Sequence, residues 1–143
     1  MYKQILIPLD NSKVDDVILS HIRPLAKLTG ASLVLVHVSD GYVARYQKQL
    51  NLEDSVEIKE DRQYLKKREK ELTQEGFHVK AHLAEGEPSK EILRIAEEEL
   101  CDLIAMSTHG HRFLQDIILG SVAENIRHHT DIPVLMIRAP HVK

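Results

Sequence analysis

The stretch MSTHGHRFLQDIILGSVAENIRHH, from Met106 to His129, gathers the residues whose types and spacing best suit chemistry. An apolar run ends in Ser107-Thr108-His109-Gly110, and a Gly120-Ser121 pair opens a helical pattern. Such residues hold phosphate in two ways. A turn from Ser107 to Gly110 can point successive backbone N–H groups into one concavity, with Gly110 supplying the positive φ that other residues resist. Gly120, Ser121 and Val122 can offer the free N–H groups and positive dipole end of a helix start. A competing reading needs no ligand: Ser121 and Glu124 have the Ser-x-x-Glu spacing of a capping box, which satisfies two of the same donors. Arg112 can reach a phosphate or stand as an ordinary loop arginine. The stretch has no Walker lysine, so phosphate here would rely on backbone groups.

The other reactive residue types carry less. His109, His111, His128 and His129 include no pair with the spacing of a helical metal site, and no metal site is expected. His128 and His129 fall near a helix C-terminus, where the dipole accounts for them. His78 and His82 share a strand face and read as surface residues. His37 lies inside a strand core and reads as a satisfied buried histidine. Cys101 is the only cysteine, so an intrachain disulfide is excluded and a reducing compartment is expected. Its position at the mouth of an apolar run predicts a buried, unreactive thiol.

These residues need a frame. The chain has 143 residues, 43% apolar and 29% charged, with a formal charge of −3. That suits a single domain over 1–143, burying roughly 70% of its unfolded surface. The charge supplies no overall field to attract nucleic acid or an anionic membrane. Lysines and arginines are interleaved with acids across 57–75, the pattern of a solvated helix face. MYKQILIPLD has too short an apolar core for a signal peptide, and no run approaches the length of a membrane span. A cytoplasmic protein is expected.

Periodicity places the elements. Ile5-Leu6-Ile7, closed by Pro8-Leu9-Asp10, reads as a strand buried on both faces. From Ser12, a fair N-cap, a helical stripe runs through Val14, Val17, Ile18, His21, Ile22, Leu25 and Leu28 to Gly30, and Pro24 should kink or split it. ASLVLVHV is a second buried strand. A loop to Asn51 and a long polar helix to about Glu75 follow. FHVKAHL alternates as an edge strand, and a helix follows with Ile92, Leu93, Ile95, Ala96 and Leu100 on its stripe. Leu103 to Met106 forms the fourth strand. A helix over 121–129 and a fifth strand from Ile132 to Ile137 complete the chain.

Strands alternating with helices predict an α/β, doubly wound, Rossmann-like fold with helices on both faces of a five-stranded parallel sheet. The expected order is 3-2-1-4-5, which reverses between strands one and four. Ligands bind at the carboxyl ends flanking such a reversal, here Pro8-Leu9-Asp10 and Met106 to Gly110.

The whole chain resembles the universal stress protein family. ILIPLD, LVLVHV, DLIAMSTHG, GSVAENI and PVLMIRAP carry the resemblance. Nucleotide-binding members have Gly, two residues, Gly, nine residues, then Gly followed by Ser or Thr. This chain has Ser107 at the first position, then Gly110 and Gly120-Ser121. The resemblance implies that Asp10 and the backbone of Pro8 and Leu9 meet the ribose or adenine side, and that Val38 reads the adenine edge through its backbone. It places Met106 and Ser107 along the adenosine pocket. His109, Gly110, His111, Arg112, Gly120, Ser121 and Val122 would surround the phosphates. If the first motif position requires positive φ or close backbone approach, Ser107 costs on the order of 1 kcal/mol, about fivefold in affinity.

The expected function is binding of ATP or another adenine nucleotide, with or without Mg²⁺, in a regulatory stress-response role. No residue supplies an activated nucleophile, a base with an orienting partner or a magnesium cage, so efficient catalysis is not expected, and slow ATP hydrolysis stays open. The alternative is a nucleotide-free interaction protein acting through Phe113 and Ile117. A phosphoacceptor receiver fits poorly, since Ala84-Glu85-Gly86 stands where its aspartate would follow strand three. The apolar strand IPVLMI suits an edge that self-pairs, and the resemblance implies a homodimer through it.

Overall fold

Ile5, Leu6 and Ile7 have no exposed surface, as a strand buried on both faces requires. The computed structural model describes residues 1–39, 56–108 and 116–138. They form β1 (Gln4–Pro8), α1 (Val14–Thr29), β2 (Ser32–Ser39), α2 (Val56–Gln74), β3 (Val79–Glu85), α3 (Pro88–Glu98), β4 (Leu103–Ser107), α4 (Asp116–His129) and β5 (Val134–Ile137). The strands make one parallel sheet in the order β3-β2-β1-β4-β5, the doubly wound order expected from the alternation.

Two apolar layers flank the sheet. Ile5, Ile7, Leu33 and Leu35 pack with Ile18, Leu19 and Ile22 of α1 and Leu65 and Leu72 of α2. Leu6, Val34, Val36, Ile104 and Met106 pack with Ile92, Ile95 and Ala96 of α3 and Val122, Ala123 and Ile126 of α4. Alternate strand residues point to opposite faces, so each strand feeds both layers. β3 and β5 end the sheet, and β5 is only partly buried along its length.

Four expectations change. His21 and Leu28, expected on the α1 stripe, are exposed, Leu28 at 86%. Pro24 neither ends nor splits α1, which runs unbroken to Thr29. Gly30, at φ 74, closes it through an amide bond to the Ala26 carbonyl. Leu100 is not on the buried stripe of α3; it follows the helix end at φ 54 and is 83% exposed. The largest change concerns the polar segment that read as solvated. One stripe of α2, Ile58, Asp61, Leu65 and Leu72, is buried. Its steps of three, four and seven residues mark a docked helix face, with Asp61 among the apolar positions.

Candidate functional site

The order reverses between β1 and β4, which pair through Ile5↔Leu103 and Leu6↔Ile104. Their carboxyl ends run on past the last paired positions, where a crevice forms in such sheets. Pro8 and Asp10 are half-buried there, and Leu9 is buried.

Residues 10–12 have their amides committed to one side chain. Asp15, 2% exposed in the first turn of α1, accepts the N–H groups of Asp10 at 2.8 Å, Asn11 at 2.9 Å and Ser12 at 3.4 Å. Tyr64 of α2 donates its hydroxyl to the same carboxylate at 2.6 Å. Burial pushes the Asp15 carboxyl above its usual range, opposed by these four donors. Lys13 rather than Ser12, the expected residue, stands at the N-cap of α1, and Ser12 accepts the Val14 amide on its hydroxyl at 3.3 Å. Leu9 donates its own amide to the Val36 carbonyl at 2.8 Å, and Pro8 has no amide hydrogen. The loop therefore has the backbone donors of residues 9–12 engaged within the protein, and what its main chain can offer a ligand is acceptors, beside the carboxylate of Asp10. A hydroxyl-bearing group suits such a loop; a phosphate does not.

A second carboxylate braces the same loop. His37, 7% exposed, contacts the Leu9 carbonyl through Nδ1 at 2.7 Å and Asp61 Oδ2 through Nε2 at 3.0 Å. Asn11 donates its side-chain amide to Asp61 Oδ1 at 2.8 Å. His37 is thus a satisfied buried histidine, as its place in the strand predicted. Farther along α2, Arg68 donates to the Tyr64 hydroxyl at 2.9 Å and pairs with Asp16 of α1. Asp15, Asp61, Tyr64 and Arg68 escaped the sequence reading as site-shaping residues. The available signal was the repeat of Ile58, Leu65 and Leu72 with Asp61 and Arg68 at the intervening helical steps.

Across the reversal, Ser107 ends β4 and is 8% exposed. Among the described residues, positive φ at a non-glycine position occurs at Tyr2, Asn11 and Leu100. Ser107 is therefore extended, and its Cβ carries no left-handed strain; only close approach by a ligand would distinguish it from glycine. Met106 is 1% exposed, with its side chain in the core, and Val122 is likewise packed inward. Met106 would meet a ligand through its backbone, whereas the Val122 amide lies past the first turn of α4 and is engaged within the helix. Val38, near the end of β2, is half-buried against the same layer.

The helix after the loop starts five residues earlier than expected, at Asp116. Gly120 and Ser121 thus lie inside α4, so neither the helix start at Gly120 nor the capping box at Ser121 describes this structure. An acid at 116 suits the positive helix end, and Gly120 costs only about 1 kcal/mol within a helix, too little to stop it. Glu124 pairs instead with Arg127 at 2.8 Å. At the other end, the His129 Nδ1 lies 2.7 Å from the Asn125 carbonyl, as expected for a histidine in the last turn. His109, Gly110, His111, Arg112 and Phe113 lie outside the described residues.

Cys101 is buried and free, its thiol pushed up to about 12 by burial and by the nearby Glu99 and Asp102. His82 is half-buried with Nε2 3.3 Å from Glu99, and His78 is exposed. Among the described residues no group of three or more His, Cys, Asp or Glu could hold a metal ion, and no helix is long and apolar enough to cross a membrane.

Comparison with known proteins adds three findings. The family model described as the universal stress protein family matches residues 1–138. Universal stress protein MJ0577 of Methanocaldococcus jannaschii is 32% identical, with 96% of each chain covered, and its solved structure superposes with a TM-score of 0.81 over 99% of both chains. A universal stress protein from Archaeoglobus fulgidus in complex with dAMP shares the fold, with a TM-score of 0.70 at 23% identity over 95% of this chain and 98% of that one.

Proposed function

The chain belongs to the universal stress protein family, and from that premise we propose that it binds an adenine nucleotide, ATP or a close relative, in a regulatory stress-response role. The observation that carries the proposal is the loop after β1, where the amides of Asp10, Asn11 and Ser12 are all committed to Asp15. An acceptor loop at the reversal suits ribose hydroxyls and leaves the phosphates to the opposite side. Asp10 accepts from the ribose, Val38 reads the adenine edge through its backbone, and Met106 and Ser107 floor the pocket. The phosphates fall to the segment that carries His109, Gly110, His111 and Arg112, since Gly120, Ser121 and Val122 lie within α4 rather than at its free start. The related fold from A. fulgidus in complex with dAMP supports an adenine nucleotide as the ligand class. Any Mg²⁺ would arrive with the phosphates.

Calorimetry with ATP tests the proposal. Binding heat is expected from the wild type. Asp10→Ala, which removes one charged hydrogen-bond acceptor, should weaken binding about tenfold or more and abolish any preference for ATP over 2′-deoxy-ATP. No heat from folded wild-type protein at millimolar nucleotide would overturn it in favour of a nucleotide-free interaction protein.

A further inference from the structure

Asp10 is bracketed by two residues that answer to the same buried pair. The preceding Leu9 has its carbonyl against His37 Nδ1 at 2.7 Å, and the following Asn11 donates its side chain to Asp61 Oδ1 at 2.8 Å. His37 and Asp61 meet at 3.0 Å and are 7% and 3% exposed. We infer that His37, Asp61 and Asn11 are positioning residues for the ligand-facing carboxylate of Asp10, so that docking of α2 and binding of nucleotide form one coupled event. The inference rests on the preceding reading that this loop contacts an adenine nucleotide.

Proton placement follows from the partners. A carbonyl only accepts, so His37 Nδ1 carries a hydrogen. The contact between Nε2 and Asp61 is attractive only if one further proton lies between them, whichever atom holds it. The pair is thus a single hydrogen-bonded unit that spans β2 and α2, and buried units of this kind are costly to leave half made. Asn11 adds a geometric demand. Its φ of 59 lies in the left-handed region, which asparagine tolerates better than most residues. In that conformation its backbone amide reaches Asp15 while its side chain reaches Asp61. Removing Asp61 frees Asn11 and leaves His37 Nε2 without its carboxylate, so both flanks of Asp10 loosen together.

Leu72 offers a control on the same helix. It is fully buried, near the opposite end of α2, within the apolar layer beneath the sheet. A merely structural contribution of α2 would make Leu72→Ala and Asp61→Ala affect nucleotide affinity alike.

The test is calorimetry with ATP on the whole chain at a temperature where each variant is folded. Asp61→Ala is expected to weaken binding about tenfold or more, a change that follows from losing the geometry of one charged contact. Asp61→Asn should recover binding to within about threefold, because an amide can accept from Asn11 and donate to neutral His37. Leu72→Ala should lower stability while leaving affinity within about twofold. The inference is overturned if Asp61→Ala binds like the wild type, if Asp61→Asn is no better than Asp61→Ala, or if Leu72→Ala weakens binding equally. Absence of binding by the wild type itself would overturn the nucleotide reading, and the inference with it. If Asp61→Ala does not fold, hydrogen exchange on the wild type decides: ATP should slow exchange across 61–68, and unchanged exchange there overturns the coupling.

Discussion

Leu100 stands at φ 54 with 83% of its surface exposed, a backbone state that glycine adopts without a Cβ penalty. It occupies the position just past the α3 cap, where the Cys101 amide bonds the Ala96 carbonyl and the Leu100 amide bonds that of Glu97. This is a Schellman closure made with the wrong residue for it. Leu100→Gly should stabilise the fold by about 0.5–1 kcal/mol, the left-handed penalty of a side chain less the added freedom of the unfolded glycine; a raised denaturant midpoint with unchanged slope checks it. Asp15 is the opposite case, a residue with few substitutes. Asp15→Asn replaces one acceptor oxygen by a donor that would face backbone N–H groups, and should cost about 2–4 kcal/mol. It should weaken ATP binding as well, since the loop that presents Asp10 is built on it. Urea denaturation and calorimetry on one preparation would check both effects.

At the level of elements, the strands were legible, and α2 was legible as a helix but not in its buried face. The apolar triplet Ile5-Leu6-Ile7 and the alternation of Val79, Ala81 and Leu83 announce a central and an edge strand, because burial on two faces or on one leaves distinct patterns. The order of the sheet follows from alternation with crossover helices, without knowledge of any contact. Asp61, Tyr64 and Arg68 look like surface residues because charge alone does not reveal a partner. Their partners, His37, Asp15 and Asp16, lie 24, 49 and 52 residues away in sequence. The start of α4 was misplaced for a related reason. Glycine and serine look like a boundary locally, yet a helix already nucleated at Asp116 carries through them at small cost. Ser107 shows the converse: a departure from a motif that suggests backbone strain sits in an extended strand, where none arises.

For the whole molecule, β5 closes the sheet on one side with Val134, Leu135, Met136 and Ile137 only partly buried. An apolar edge of this kind invites another strand, and a homodimer through it is the assembly we propose. Leu135→Asp should yield monomers in sedimentation while circular dichroism shows the fold retained; an unchanged dimer would move the interface elsewhere. The loop after β1 has a different consequence at this scale. Its amides reach Asp15 across only three to five residues of sequence, so its shape is acquired with the first turn of α1. Ordering a loose loop on association would cost on the order of 1–2 kcal/mol for each residue fixed. Here that entropy has already been lost in folding, so encounter with a ligand on this side of the crevice requires no search among backbone conformations, and its rate should be limited by diffusion and desolvation rather than by loop closure.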